Sequence, residues 1–317
     1  MSVSGTAQRS GADPRATSWA EVVRLRTLPA AVAPVILGAG AAAALGAFSP
    51  VRSLLAAGVA LALQIGCNLA NDYSDGVRGA DDERTGPPRL TASGAVAPRT
   101  VKLAAFGCFG VGGLLGLALV ALSGQWWLLA VGAAAIAAAW FYTGGPRPYG
   151  YAGLGEVFVF VFFGLVATAG TAYVQGGTAP GWLWAAAGGV GLIACSLLMV
   201  NNLRDIDTDP AAGKRTLAVR LGAGRARAAF IAMLWAPVAA GAAAIVWAHR
   251  ALGGSGAVWL VVLAVVIAVL GAAAARAGGT VLAGATGRAL IPALRDAGLY
   301  ELLYGVALAA ALVLASR

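Results

Sequence analysis

The sequence predicts an all-α polytopic membrane protein, a bundle of nine transmembrane helices, on three observations. Of its 317 residues 60% are hydrophobic and only 11% are charged, about half the ~25% charge of a soluble domain. Mean hydropathy is +0.81, and the apolar residues fall in runs of roughly 18 to 24, the length that crosses a hydrocarbon core as a helix. The basic residues sort by loop, with 19 of the 22 Lys and Arg on the N-terminus and alternate loops. That asymmetry is the positive-inside pattern of a multi-span protein.

Residues 1–28 are polar, with no apolar stretch before Leu28. The sequence therefore predicts a disordered tail over 1–20 and an interfacial lead-in, rather than a cleaved signal peptide. A single transmembrane domain follows over 21–317. Its first span, 29–48, starts after Arg24 and Arg26, and the second, 52–70, begins at Arg52. The third, 103–123, follows Lys102, and the fourth, 126–143, ends before Arg147. The fifth and sixth are 154–175 and 181–200, the latter reaching Asn201 and Arg204. The seventh, 228–248, runs from Arg227 to Arg250, the eighth, 256–275, stops at Arg276, and the ninth is 298–315. Nine spans put the termini on opposite sides. The basic count then makes the N-terminus and the loops 71–102 and 201–227 cytoplasmic, leaving only Arg52, Arg250 and Arg317 on the other side of the cell membrane.

The net charge of +9 is scattered over short loops rather than gathered on one face, which argues against nucleic acid as a partner. Cys67, Cys108 and Cys195 all lie in apolar runs and read as small core residues. His249 is the only histidine, so neither a His-based metal site nor a His-led proton relay is available.

Thirteen acidic residues occur, and eight of them lie in two clusters: Asp72, Asp75, Asp81, Asp82 and Glu83 after span two, and Asp205, Asp207 and Asp209 after span six. Each cluster begins with an asparagine at four-residue spacing, Asn71 to Asp75 and Asn201 to Asp205 to Asp209. Residues four apart share a helical face, so each element is expected to present a ladder of oxygen ligands in one direction. The second element stands four spans after the first, which gives both the same orientation. Stacked like charges repel unless a cation intervenes. Oxygen-only ligation suits Mg²⁺, which one or two carboxylates hold together with substrate phosphates. Arg78, Arg84 and Arg89 beside the first ladder, and Arg204, Lys214 and Arg215 beside the second, are suited to phosphate oxygens or to topology.

The stretches Asn71-Asp72-Tyr73-Ser74-Asp75 and Asn201-Asn202-Leu203-Arg204-Asp205-Ile206-Asp207-Thr208-Asp209, followed by Gly213-Lys214-Arg215-Thr216-Leu217, resemble the UbiA superfamily of intramembrane aromatic prenyltransferases. Tyr142-Thr143-Gly144-Gly145-Pro146, then Gly150-Tyr151 and Gly153-Leu154-Gly155-Glu156, look like the branch that acts on 1,4-dihydroxy-2-naphthoate, as do Arg24, Arg26, Thr27, Leu28 and Pro29. The resemblance covers roughly 20–317. Gly79 stands where the broader superfamily often carries a third acid, and Asp81 and Asp82 follow it.

The resemblance implies Mg-dependent transfer of a polyprenyl group from polyprenyl diphosphate to 1,4-dihydroxy-2-naphthoate, with decarboxylation, giving demethylmenaquinone for menaquinone biosynthesis. It implies Asp75, Asp205, Asp209 and Tyr142 as catalytic residues, and cytoplasmic catalytic loops. Asn71, Asp72, Asp75, Asp205 and Asp209 are the expected metal ligands, with Asn68 adjacent. Asn71, Asn201, Arg78, Arg84, Arg147, Glu156, Arg204 and Lys214 are the expected substrate-binding residues. Membrane lipid is the expected surround of the bundle. Two alternatives stand beside this reading: prenyl transfer to another aromatic acceptor, and a cation-coupled transporter. Against transport, the acids cluster at one membrane face rather than at the midplane. Trp126, Trp127, Trp182, Trp184 and Trp259 read as an interfacial belt.

Overall fold

The computed structural model describes residues 27–80, 89–255 and 257–316. Nine helices account for almost all of them: α1 (Leu28–Ala44), α2 (Pro50–Val77), α3 (Pro98–Ser123), α4 (Leu128–Phe141), α5 (Gly155–Gly176), α6 (Gly181–Arg204), α7 (Leu217–Leu252), α8 (Val258–Leu282) and α9 (Ile291–Ala315). Seven of these regions are long and apolar enough to cross a membrane, and α1 and α4 are shorter apolar helices of 17 and 14 residues. The chain is therefore a multi-pass, all-helical membrane protein, and the nine expected spans correspond to these nine helices in order. The expected tail over 1–20 lies outside the described residues.

Boundaries differ most where a helix continues past its apolar run. The second span was expected to end at 70 and α2 runs to Val77; the seventh was expected from 228 and α7 starts at Leu217, with a break at Gly222 (φ 76°, ψ 159°) after its first turn. Hydropathy marks the apolar layer, whereas backbone hydrogen bonding carries a helix on into polar sequence. The first acidic ladder rides on such an extension.

Local signals start the helices. Ser49 caps α2, its hydroxyl accepting from the Arg52 amide at 3.4 Å, and Pro50 and Pro98 open α2 and α3, positions where a missing N–H costs nothing. Helix α6 is the centre of the bundle: 72% of its most apolar 18 residues are buried, against 17% for the lipid-facing α8. Its Gly- and Ala-rich sequence allows close approach on several sides, as small residues do between membrane helices. Tyr304 of α9 lies across Gly189 and donates to the Ala186 carbonyl at 3.2 Å, and Tyr300 donates to the Leu234 carbonyl at 3.0 Å. Each phenol thus finds a backbone partner inside the membrane core.

At the end of the bundle remote from the acidic clusters, Arg52 ties three helices together. Its guanidinium donates to the Val174 and Gln175 carbonyls at 3.1 Å each and to the Leu122 carbonyl at 2.7 Å. Trp126, Trp127 and Trp184 are exposed, but Trp182, expected in the same belt, is only 2% exposed. It opens the central helix α6 and packs into the main core.

Helix α5 departs from regularity. Phe160–Val166 is π-helical, a form that is rare and usually confined to a single turn. The segment carries Phe162 and Phe163 to the wall of the central cavity, and Gly164 to within van der Waals range of Gly191 on α6.

Candidate active site

One cavity of about 1230 Å³ runs down the bundle between α1, α2, α3, α4, α5 and α6. It exceeds the ~300–1,000 Å³ of an ordinary small-molecule pocket. Its wall is mostly Ala, Gly, Val, Leu and Phe, and its polar residues gather at the end where α2 and α6 finish. Asn71 and Asp75 from α2 meet Asn201 and Arg204 from α6 there, with Asp205, Asp209 and Lys214 from the segment that follows α6.

The first ladder is helical as expected. Asn71 Oδ1 accepts from the Thr143 hydroxyl at 2.8 Å, and Asp75 Oδ1 accepts from the Tyr151 hydroxyl at 2.6 Å. Lys214 Nζ lies 3.0 Å from Asp75 Oδ2 and 5.1 Å from the centre of the Tyr151 ring. Burial, reinforced by the Asp75 carboxylate, holds the Tyr151 phenol well above its ordinary range, so the ring is a hydrogen donor to Asp75 at neutral pH.

The second ladder is helical only in part. Helix α6 stops at Arg204, Asp205 caps it (φ −100°, ψ 14°), and the chain turns through 205–213. Three aspartates in five residues favour turns over helix, and Pro210 disfavours helical backbone at Asp209. The four-residue register survives all the same, because the Asp209 amide donates to the Asp205 carbonyl at 2.9 Å. Arg204 grips Asp205 through Nε at 2.9 Å and Nη2 at 2.5 Å, the bidentate fork that guanidinium makes with a carboxylate. Asp209 Oδ2 accepts from the Thr216 hydroxyl at 3.5 Å.

Not every expected residue reaches the cavity. Asp72, one residue along from Asn71, is fully buried on another face of α2; its Oδ2 and Oδ1 accept from the Leu90 and Thr91 amides at 3.0 and 2.9 Å. It fastens the 89–91 segment against the helix instead of joining the other four expected metal ligands. Asp72→Ala is expected to orphan both amides and lower stability by about 1–3 kcal/mol, checked by thermal unfolding in detergent against Asp72→Asn, which keeps one acceptor. Arg78 is also outside the cavity. Its guanidinium donates to the Thr143 and Gly145 carbonyls and stands 5.5 Å from the Tyr151 ring centre, strapping the end of α2 to the loop after α4. Arg147 is exposed on that loop and does not line the cavity. Arg84, Asp81, Asp82 and Glu83 lie outside the described residues.

Tyr142 lines the cavity, and Glu156 sits in the first turn of α5 behind that wall, 6% exposed. Glu156 Oε1 accepts from the Asn202 amide at 3.4 Å. Further residues complete the polar end. Arg89, read in the sequence together with Arg78 and Arg84 as suited to phosphate oxygens, lines it within electrostatic reach of Asp75. Gln64 and Asn68 both donate to the Thr27 hydroxyl, at 3.0 and 3.1 Å. Asn68 was expected beside the first ladder, and the α2 register would also have found Gln64, which continues the line of Asn71 and Asp75 down the helix. Tyr151 stood in the Gly150-Tyr151 motif, but no sequence signal marked its partner Asp75, 76 residues away.

A bundle of membrane helices with two asparagine–aspartate elements at the mouth of a long apolar cavity defines a class of intramembrane transferase. The chain belongs to the UbiA prenyltransferase family, whose sequence pattern matches residues 31–280. It is a prenyltransferase, and the transporter alternative loses its support. It is 49% identical to the 1,4-dihydroxy-2-naphthoate octaprenyltransferase of Mycobacterium tuberculosis over 298 residues, covering 93% of this chain and 96% of that protein. The enzyme of the same name from Escherichia coli is 43% identical over 67% of this chain and 71% of its own length. In fold, the chain is similar to a UbiA homologue from Archaeoglobus fulgidus bound to DMAPP and Mg²⁺, with a TM-score of 0.65 at 15% identity, covering 94% of this chain and 99% of that one. A homologue from Aeropyrum pernix gives a TM-score of 0.66 at 18% identity, covering 88% and 96%.

Proposed function

We propose that the protein transfers a polyprenyl group from polyprenyl diphosphate to 1,4-dihydroxy-2-naphthoate with loss of CO₂, giving demethylmenaquinone, at the cytoplasmic side of the cell membrane. The observation that carries this is the convergence of Asn71 and Asp75 with Asn201, Asp205 and Asp209 on the polar end of one long apolar cavity. The names of the relatives that align over most of the chain supply the acceptor.

The donor set fits Mg²⁺. Its atoms are carboxylate and amide oxygens of Asn71, Asp75, Asp205 and Asp209 at one end of the cavity. That is the arrangement in which one or two carboxylates and substrate phosphates share a hard cation. In this reading Asn71, Asp75, Asp205 and Asp209 hold the metal, which when bound supplies positive charge opposite the diphosphate. Asn201, Arg204, Lys214 and Arg89 bind the diphosphate oxygens. Lys214 and Arg204 serve first as counter-ions to Asp75 and Asp205, so the aspartates remain ionised and ordered before substrate arrives.

The reaction then follows from the residues. The allylic C–O bond breaks with its electron pair leaving on the diphosphate, where the basic side chains stabilise the developing charge. The polyprenyl tail lies along the Ala-, Gly- and Leu-lined part of the cavity. Phe158, Phe162 and Phe163 keep water from the allylic cation and offer it ring faces. The electron-rich ring carbon bearing the carboxylate attacks, and the carboxylate leaves as CO₂.

Purified protein in nanodiscs, given polyprenyl diphosphate, 1,4-dihydroxy-2-naphthoate and Mg²⁺, is expected to release one CO₂ per prenylated quinol. Chelation by EDTA is expected to cut turnover at least ~100-fold, with recovery on Mg²⁺ addition. Prenylation of 4-hydroxybenzoate in place of the naphthoate would overturn the acceptor. Full turnover in EDTA would overturn the metal.

A further inference from the structure

Glu156 differs from Asp75 and Asp205 at the polar end. Asp75 is paired with Lys214 and Asp205 with Arg204, whereas Glu156 has no ion pair among the described residues. Its only side-chain hydrogen bond there comes from the Asn202 amide on Oε1, and Oε2 is buried without any partner. A buried carboxyl oxygen left unpaired is costly in an apolar surround, and such groups inside membranes mark functional sites. Both of its neighbours, Tyr142 and Asn202, line the cavity.

Tyr142 is fixed between Glu156 and the cavity. A Cβ at Gly150 would come 2.9 Å from the Tyr142 ring, and one at Gly155 would come 3.2 Å from the ring and 3.5 Å from its hydroxyl oxygen. The two glycines therefore let the ring lie flat on the first turn of α5, with its oxygen beside the helix that carries Glu156.

The decarboxylative reaction needs a group that borrows one proton. When the ring carbon bonds to the prenyl carbon, the neighbouring ring hydroxyl becomes a ketone and must lose its proton. The product is a β-keto carboxylate. Breaking its C–CO₂ bond returns an electron pair to the ring, and the resulting enolate oxygen takes a proton back. No proton is consumed overall.

We propose that Tyr142 and Glu156 form this relay: the acceptor hydroxyl passes its proton to the Tyr142 oxygen as that phenol passes its own to Glu156 Oε2, and the same path returns it after CO₂ leaves. Asn202 holds the other carboxyl oxygen, which leaves Oε2 free to take the proton. The assignment rests on the decarboxylating reading above. Asp75 and Asp205 are unsuited to the task because Tyr151, Lys214 and Arg204 already engage their carboxylate oxygens.

The test is steady-state kinetics of Glu156→Gln, Tyr142→Phe, the double variant and Glu156→Asp with polyprenyl diphosphate and 1,4-dihydroxy-2-naphthoate. Each of the first two is expected to lower kcat about 100-fold while leaving both KM values within about threefold. The double variant is expected to match the slower single one, because the two groups act as one unit. Glu156→Asp keeps the acid and is expected to recover part of kcat. Wild-type kcat in Glu156→Gln, a raised acceptor KM at unchanged kcat, or losses that multiply in the double variant would each overturn the relay. If Glu156→Gln fails to fold, Tyr142→Phe decides alone, since it removes one oxygen and keeps the packing of the ring. A wild type that makes no product from the naphthoate overturns the acceptor reading and takes the relay with it.

Discussion

Asp75→Asn is expected to lower turnover by about 10³-fold or more, the scale seen when a preorganised charge is removed from a reacting site. Asp75 is 4% exposed, with Tyr151 donating to one oxygen and Lys214 to the other. An amide at 75 has one oxygen and one donating nitrogen, so either Tyr151 or Lys214 faces a group that cannot accept. The negative charge assigned to the metal disappears, and the Lys214 ammonium is left without its counter-ion. Losing one partner of an enclosed pair is destabilising in its own right, so activity alone does not separate chemistry from folding. Combining Asp75→Asn with Lys214→Met removes the orphaned ammonium. The double variant is expected to regain thermal stability in detergent but not turnover. Recovery of turnover in that double variant would show that Asp75 serves only to neutralise Lys214.

Gly164→Val is expected to be strongly damaging although it lies away from the polar end. A Cβ at 164 would lie 2.6 Å from the Gly191 Cα and 3.0 Å from the Ala187 carbonyl oxygen, while one at 191 would lie 3.0 Å from the Gly164 Cα. These obstacles are backbone, which no rotamer change relieves, so α5 and α6 must move apart. Overpacking of this kind costs about 3 kcal/mol. The displaced helices carry Glu156, Phe158, Phe162 and Phe163 on one side and Asn201 and Arg204 on the other, so turnover should fall with the melting temperature. Gly170→Val is the control: Gly170 lines the same cavity with nothing within 4 Å of a built Cβ. It is expected to melt like the wild type. Equal melting temperatures for all three proteins would refute the close-contact argument.

Much of this protein was legible in the sequence because a membrane constrains it so strongly. Apolar runs of spanning length have one solution in lipid, a helix with its backbone hydrogen bonds satisfied internally, so nine runs became nine helices in the expected order. The spacing of Asn71 and Asp75 was enough to put them on one side of α2, since helix periodicity is local. Asn201, Asp205 and Asp209 were legible as a register, although the turn forced by the aspartates and Pro210 replaced the helix beyond Arg204.

What the tertiary structure decided was which of several similar residues face the cavity and what each one touches. Asp72 and Asp75 are three residues apart and look equivalent in sequence, yet one binds two backbone amides and the other meets Tyr151 and Lys214. Arg78 straps a loop while Arg89 enters the polar end. Trp182 belongs to the core and Trp184 to the surface. These outcomes depend on contacts 65 to 139 residues apart along the chain, and no periodicity within a helix encodes its rotation against helices packed from elsewhere. The sequence alone determined the class of fold and the chemistry of its ligands; packing of α2, α5 and α6 around a shared cavity selected the atoms that meet there.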